Sequence, residues 1–127
     1  MKLLLDTHAL YWWSDDQSLL SETARKLIKE STNEILVSVA SLHELQIKHQ
    51  LGKLKLIFTL QELVDRCRTD RMTLLPIEAA HIYALQSLPM HHRDPFDRLL
   101  IAQAITLNCP LVSKDTHFSQ YPAQVLW

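Results

Sequence analysis

The chain has 127 residues, 47% of them hydrophobic, and a formal net charge of −1 at pH 7. This length and composition predict one globular domain over residues 1–127, and the near-neutral charge excludes a broad basic surface for non-specific nucleic-acid binding. The single glycine, Gly52, excludes the glycine-rich phosphate loops of P-loop NTPases and of dinucleotide-binding enzymes.

Short apolar runs alternate along the chain with segments in which apolar residues recur at helical spacing. In chain order we predict strand 2–5, helix 21–31, strand 35–37, helix 38–50, helix 59–70, strand 73–75, helix 78–88, helix 94–107, strand 111–112 and strand 124–126. Ser21 and Ser38 are suitable helix caps, and Gly52 ends the helix that Ser38 begins. Wholly apolar strands separated by helices predict an α/β fold, a three-layer α/β/α domain with a short parallel central sheet flanked by helices.

Acidic residues stand where these strands end or where helices begin. Asp6 follows the first strand, Asp115 follows the fourth, and Glu44 and Asp97 lie near the starts of two helices. Since parallel strands end on one side of the sheet, these carboxylates should meet at one edge, where open α/β sheets place their active sites. A group of oxygen ligands without matching positive charge predicts a divalent cation, Mg²⁺ or Mn²⁺.

Each acid also has a simple structural explanation. Asp6 and Asp115 could cap the segments that follow them, and Asp94 before Pro95 has the pattern of a helix cap. Asp97 would then only complement the helix dipole. Four independent caps need not share one edge of the sheet, whereas the predicted fold brings these acids together, so we favour a shared metal site.

Two alternatives concern Glu44 and the histidines. Ser41 with Glu44 fits a capping box, unless the helix starts at Ser38 and places Glu44 in the second turn. His43 and His49 are six residues apart on one helix, about 240° around its axis, so they cannot share a zinc ion. We predict that the loop 91–93 is solvated and does not bind metal.

The cysteines and the hydropathy pattern bear on localisation. Cys67 and Cys109 lie in apolar surroundings, which favours buried free thiols in a reducing compartment. No segment approaches the roughly 20 apolar residues of a membrane span, and the run of three leucines before Asp6 is too short for a signal peptide. We therefore expect a soluble, cytoplasmic protein without membrane contact.

Four ordered motifs resemble those of the PIN-domain nucleases, specifically the VapC-type toxins of type II (VapBC) toxin–antitoxin systems. The motifs are residues 4–8 (LLDTH), 38–44 (SVASLHE), 92–104 (HRDPFDRLLIAQA) and 111–115 (LVSKD). The resemblance implies a metal-dependent endoribonuclease that uses Mg²⁺ or Mn²⁺ and metal-activated water to hydrolyse RNA. It also implies a homodimer and a cognate antitoxin that occupies the active-site groove.

The resemblance further assigns roles to individual residues. The catalytic and metal-binding acids that it implies are Asp6, Glu44, Asp97 and the more variable Asp115. Hydroxyl groups that support the acidic pocket match Thr7 and Ser113. Asp94 is acidic in this motif too, but its place before Pro95 suits a cap better than a ligand.

The remaining assignments leave alternatives open. Arg93 and Arg98 flank the pocket motif and either contact RNA phosphate or serve as solvated or ion-paired charges. The aromatic run 11–13 is either ordinary core or an apolar groove for an antitoxin helix. Two other functions compete with the nuclease: a catalytically inactive PIN scaffold that binds protein or RNA, and a phosphatase of the haloacid-dehalogenase type. The phosphatase would need an aspartate where this chain has His8.

Overall fold

The computed structural model describes all residues, 1–127, and its centre is a five-stranded sheet in the order β3-β2-β1-β4-β5 with every pair parallel. The strands are β1 (Lys2–Leu5), β2 (Glu34–Ser38), β3 (Thr73–Leu75), β4 (Leu111–Val112) and β5 (Val125–Leu126). All five predicted strands are present, and the predicted parallel α/β fold is confirmed.

Six α-helices surround the sheet. They are α1 (Thr7–Asp15), α2 (Glu22–Lys29), α3 (Val39–Gln50), α4 (Leu60–Thr69), α5 (Ala79–Leu85) and α6 (Pro95–Leu107). Short 3₁₀ helices span Gln17–Leu19 and Thr116–Gln120. None of the helices is both long and apolar enough to cross a membrane.

The central strand β1 is apolar because both of its faces are covered. Leu3 and Leu5 belong to one core, to which α1, α2, α3 and α4 contribute. Leu4 belongs to a second core, with Leu100 and Ile101 of α6. Side chains alternate between the faces of a strand, so three consecutive leucines supply both cores and fix β1 in the middle of three layers.

Helix α5 is shorter than the predicted helix 78–88. After Leu85 the amides of residues 86–88 bond to carbonyls three residues back, which is a turn pattern, and Pro89 then disfavours continuation. The Arg98 guanidinium also donates to the carbonyls of Leu85 and Leu88, which a longer helix would use in its own hydrogen bonds. The helix predicted over 21–31 similarly ends at Lys29.

The connections at the carboxyl edge of the sheet are very short. Helix α1 starts two residues after Leu5, and α3 starts directly after Ser38, which is the last residue of β2 and the N-cap of α3. Polar residues in these connections are therefore held by the strand behind them and the helix ahead of them. This edge carries the candidate site.

Candidate active site

Asp6 joins β1 to α1 and is 5% exposed. Its Oδ1 accepts a hydrogen bond from the Ala9 amide at 2.7 Å, which caps α1, and its Oδ2 accepts one from Ser113 Oγ at 2.6 Å. One Asp6 oxygen therefore caps α1, and the other binds Ser113, which directly follows β4. The cap predicted for Asp6 is confirmed, and its place in a metal site stays a prediction.

Burial raises the pKa of Asp6, and the charge of Glu44 raises it further. The hydrogen bonds from Ser113 and Ala9 act in the opposite direction, because they stabilise the ionised form. The effect of burial is larger than that of the hydrogen bonds, so ionising Asp6 costs more free energy in the folded protein than in water. A nearby cation would lower that free energy.

Glu44 lies in the second turn of α3, because Ser38 caps this helix by accepting from the Ala40 amide at 3.1 Å. The alternative of a capping box with Ser41 is therefore excluded. Glu44 is 3% exposed, and both of its oxygens have partners: Oε1 accepts from Thr7 Oγ1 at 2.7 Å and Oε2 from Lys48 Nζ at 2.5 Å.

The two partners of Glu44 come from different helices: Thr7 lies on α1, and Lys48 lies on α3 with Glu44 itself. The Thr7 hydroxyl also lies 3.0 Å from Ser41 Oγ, so α1 and α3 meet in a small hydroxyl cluster beside the Glu44 carboxylate. Our sequence analysis did not identify Lys48. The spacing of Glu44 and Lys48, four residues apart on one helix, was a signal that could have found it.

Asp97 lies in the first turn of α6, and Asp94 is the N-cap. The Asp94 Oδ1 accepts from the amides of Phe96 and Asp97 at 2.9 and 3.0 Å, and Pro95 occupies the first helical turn. The cap predicted at Asp94 is confirmed. With its cap role taken by Asp94, the Asp97 side chain is available for another use, and its Oδ2 lies 2.6 Å from His92 Nε2.

Burial raises the pKa of Asp97 to about 6. The hydrogen bond with His92 opposes this shift, whereas the charges of Asp94 and Glu44 add to it. The effect of the Glu44 charge on the pKa of Asp97 means that α3 and α6 bring these two carboxylates near each other. Like Asp6, Asp97 is an acid for which ionisation is costly in the folded protein.

Asp115 caps the 3₁₀ helix Thr116–Gln120 and accepts from both the amide and the Nδ1 of His117, each at 2.8 Å. Partial burial raises the pKa of Asp115, but these two hydrogen bonds and the charges of His117 and His92 together lower it below its ordinary value. The cap predicted for Asp115 is confirmed. Its carboxylate remains a partly exposed anion at the mouth of the pocket.

His92 was predicted to be solvated, and this prediction is wrong. Its side chain is 20% exposed, and one ligand atom each from His92, Asp97 and Asp115 lie within 4.8 Å of one another. The ring also stacks on His117, with centroids 5.2 Å apart and planes 8° apart. Sequence reasoning had no signal for this, because His92 lies in an irregular loop without periodicity.

This donor set fits a divalent cation. Two ligands of a small divalent ion lie at most about 4.2 Å apart, twice a metal–oxygen distance of about 2.1 Å. The three atoms lie within 4.8 Å of one another, so shifts of about 0.6 Å or less let them share one ion. Asp6 and Glu44 stand apart from this trio and are held by Ser113 and Thr7. The structure therefore brings the four predicted acids to one edge of the sheet in two groups.

Comparison with known proteins identifies the family. Residues 3–124 match the PIN domain. This chain belongs to the PIN-domain family. It is 37% identical over 117 residues to ribonuclease VapC22 of Mycobacterium tuberculosis, an alignment that covers 89% of this chain and 86% of that protein. The family resemblance drawn from the four motifs is confirmed.

Solved structures show the same PIN fold. VapBC2 of Rickettsia felis matches with a TM-score of 0.73 at 20% identity, covering 99% of this chain and 98% of that one. That structure was solved with VapBC2 bound to a DNA fragment from its promoter. FitAcB of Neisseria gonorrhoeae matches with a TM-score of 0.67 at 16% identity, covering 98% and 96%. At these identities the likeness concerns the fold, which spans essentially the whole chain.

The two arginines of the third PIN motif differ in their surroundings. The Arg98 guanidinium donates to the Pro89 carbonyl at 2.8 Å and has longer contacts, at 3.4 Å, with the carbonyls of Leu85, Leu88 and His92. It is therefore half-buried, has no ion-pair partner and binds the loop 85–92. Arg93 is exposed and stays the candidate for a phosphate contact.

The aromatic run after the first PIN motif is largely core. Trp13 is buried, and its Nε1 donates to Asp70 Oδ2 at 2.8 Å. Tyr11 and Trp12 are half-buried and pack against the same core; Trp12 lies against Trp127. The core interpretation holds for Trp13, while the other two rings keep an accessible face.

Proposed function

We propose that this protein is a metal-dependent endoribonuclease and the toxin of a toxin–antitoxin pair. The observation that carries the proposal is the convergence of Asp6, Glu44, Asp97 and Asp115 at one edge of the PIN sheet, with two of them and His92 spaced to share a cation. The relative in Mycobacterium tuberculosis, 37% identical over 89% of this chain, is named a ribonuclease.

Asp97 and Asp115 would hold the cation, Mg²⁺ or Mn²⁺, with Asp6 and Glu44 completing its acidic surroundings. When bound, a divalent cation supplies Lewis acidity that activates water and offsets the negative charge of the scissile phosphate. The chain's own groups orient the acids. Ser113 fixes Asp6 and Thr7 fixes Glu44, each through a short hydrogen bond.

Substrate binding must overcome the acidity of this edge. The chain has a net charge of −1, and the Lys48 ammonium already neutralises part of Glu44. We assign the exposed Arg93, next to the cap of α6, to a contact with an RNA phosphate. An arginine at this position would hold the RNA backbone through its phosphate and would not distinguish between RNA sequences.

Cleavage of total cellular RNA by the purified protein tests the proposal. Discrete fragments should appear with Mg²⁺ or Mn²⁺, should be absent with EDTA, and should be lost in Asp97→Asn. The matched control is Asp65→Asn, because the Asp65 side chain is exposed and lies on α4 away from the site. Metal-binding protein that cleaves no RNA would favour the inactive scaffold, and cleavage that survives EDTA would exclude the metal mechanism.

We propose an antitoxin as the protein partner, since VapBC2 of Rickettsia felis and FitAcB of Neisseria gonorrhoeae share this fold. We expect the antitoxin to occupy the active-site groove, and we propose that it also contacts a cleft of about 560 Å³ between α3 and the segment 56–62, where Ile57 is 69% exposed. Ile57→Asp should weaken co-purification with a co-expressed antitoxin and leave RNA cleavage by the free protein intact. Unchanged co-purification would place the antitoxin elsewhere.

We also propose a homodimer. Large apolar side chains are exposed on and beside α5, namely Ile77, Ile82, Tyr83 and Met90. Such a set suits a second copy of the chain better than solvent. Light scattering should give twice the monomer mass, and Tyr83→Glu should reduce it; a monomeric wild-type protein would contradict the proposal.

The cytoplasm is the compartment that we propose. Cys67 and Cys109 are both buried free thiols, as predicted for a reducing environment. Burial raises the pKa of the Cys67 thiol to about 11 and raises that of Cys109, so both stay protonated and unreactive. RNA, the proposed substrate, is in the same compartment.

A further inference from the structure

Hydrogen bonds hold the loop before α6 in a conformation that brings His92 next to Asp97 of the acidic pocket. Tyr121 accepts a hydrogen bond from the His92 amide at 2.8 Å and donates one to the Pro89 carbonyl at 3.0 Å. Arg98 holds the same loop by its carbonyls. A buried tyrosine and an arginine thus fix the backbone of an otherwise irregular segment.

The ring itself is fixed as well. His92 Nε2 lies 2.6 Å from Asp97 Oδ2, and the ring stacks in parallel on His117, which in turn contacts Asp115. Stacking at this separation restricts rotation of the ring. The imidazole, partly exposed, is therefore aimed at the space between two carboxylates that solvent ions can reach.

We propose that His92 supplies a nitrogen ligand to a divalent-cation site shared with Asp97 and Asp115, and that this nitrogen makes the site prefer first-row transition ions over Mg²⁺. The inference rests on the proposed function and concerns the same pocket. Mg²⁺ takes oxygen ligands, whereas imidazole nitrogen suits the transition ions. A pocket lined by carboxylates alone would lack this preference.

The geometry needs little change to accept an ion. Adjacent ligands of an octahedral ion, each about 2.1 Å from the metal, lie about 3.0 Å apart. The nitrogen and oxygen that now share a hydrogen bond at 2.6 Å would separate by a few tenths of an ångström. The alternative is that His92 only orients Asp97 through this hydrogen bond.

Calorimetric titration of the metal-free protein with Co²⁺ and, separately, Mg²⁺ tests the proposal. In His92→Ala we expect Co²⁺ affinity to fall about tenfold or more, a loss of the size that even outer partners of a metal site cause. Mg²⁺ affinity should change by less than about threefold, because oxygen ligands dominate its binding. His91→Ala is the matched control, since its ring lies against Tyr121 and outside the donor set.

A second variant separates ligation from orientation. His92→Gln keeps a side-chain N–H that can bond to Asp97 but removes the ring nitrogen, so the Co²⁺ preference should disappear there too. Visible absorption of the Co²⁺-loaded protein should change in both His92 variants and not in His91→Ala. This readout is independent of RNA cleavage.

The outcomes are distinct. If the His92 variants weaken both ions equally, or neither ion, His92 is not a ligand and the inference fails while the carboxylate site stands. If the wild-type protein binds neither ion, or if Asp97→Asn binds both as well as wild type does, the metal dependence in the proposed function fails as well.

Discussion

At the scale of single residues, two of the four site acids, Asp6 and Asp97, are harder to ionise in the folded chain than in water. Burial raises the pKa of both Asp6 and Asp97. Their partners, Ser113 and His92, reduce this penalty without removing it. Buried acids that repel one another are a cost to stability, which is understandable if the pocket serves to bind a cation.

Asp97→Asn should stabilise the metal-free protein at neutral pH. The pKa of Asp97 is about 6 in the folded chain against an ordinary value of 3.8, so the folded state holds its proton to higher pH than the unfolded state does. Ionisation therefore removes stability as the pH rises from about 4 through about 6. The asparagine side chain has the same size and keeps an acceptor oxygen, but it does not ionise, so the variant avoids this loss of stability.

Urea unfolding in EDTA measures this effect. The variant should be more stable than wild type at pH 7 by on the order of 1–3 kcal/mol, and the difference should vanish below about pH 4, where both states of the wild type are protonated. Asp65→Asn should show no such pH-dependent gain. A variant that loses stability at pH 7 would mean that the carboxylate is chiefly structural.

At the scale of elements, helix starts position the acids. Helices α1, α3 and α6 each begin at the carboxyl edge of the sheet with a side-chain cap: Asp6, Ser38 and Asp94. Capping fixes the first turn of each helix, which carries or adjoins the functional carboxylates. The caps and the site are thus parts of the same structure.

Asp94→Ala should destabilise the protein by about 0.5–2 kcal/mol, because the amides of Phe96 and Asp97 lose their acceptor. The first turn of α6 would also fray, so Asp97 would be held less firmly and RNA cleavage should fall. Urea unfolding and cleavage measure the two effects. Asp94→Asn, which keeps an acceptor oxygen, is the control; equal stability of the alanine variant and wild type would contradict the cap.

At the scale of the whole molecule, the acidic edge couples metal binding to folding. A cation that binds the folded chain and not the unfolded one stabilises the fold by mass action. The apolar sheet and its two cores hold the acids together against their repulsion. Metal binding should therefore appear as added thermal stability of the entire domain.

Mn²⁺ at about 100 times its dissociation constant should stabilise the wild-type protein by about 2.7 kcal/mol, seen as a rise of a few degrees in Tm. Calorimetric melting at matched ionic strength with K⁺ as the control ion measures this rise. Asp97→Asn should show little of it. An equal rise in the variant would locate Mn²⁺ binding outside the pocket.

Much of this arrangement follows from local sequence. The strands were predictable because short leucine and valine runs between helices are typical of buried parallel strands. The caps at Ser38, Asp94 and Asp115 were predictable because such side chains bond to backbone amides two or three residues further along the chain. The order of the acids along the chain, with the motif residues around them, was enough to indicate the PIN family and the acidic edge.

Other features were decided only by tertiary structure. The contact of His92 with Asp97, the use of Arg98 to bind the loop 85–92, and the bond from Ser113 to Asp6 across 107 residues depend on how β4, α6 and the loop before α6 pack. No local pattern encodes them, because hydrogen bonds between distant segments are set by the relative positions of packed elements. Sequence thus determined which acids meet at this edge and which hydroxyl groups support them, and the packing of the chain determined which acid each supporting group contacts.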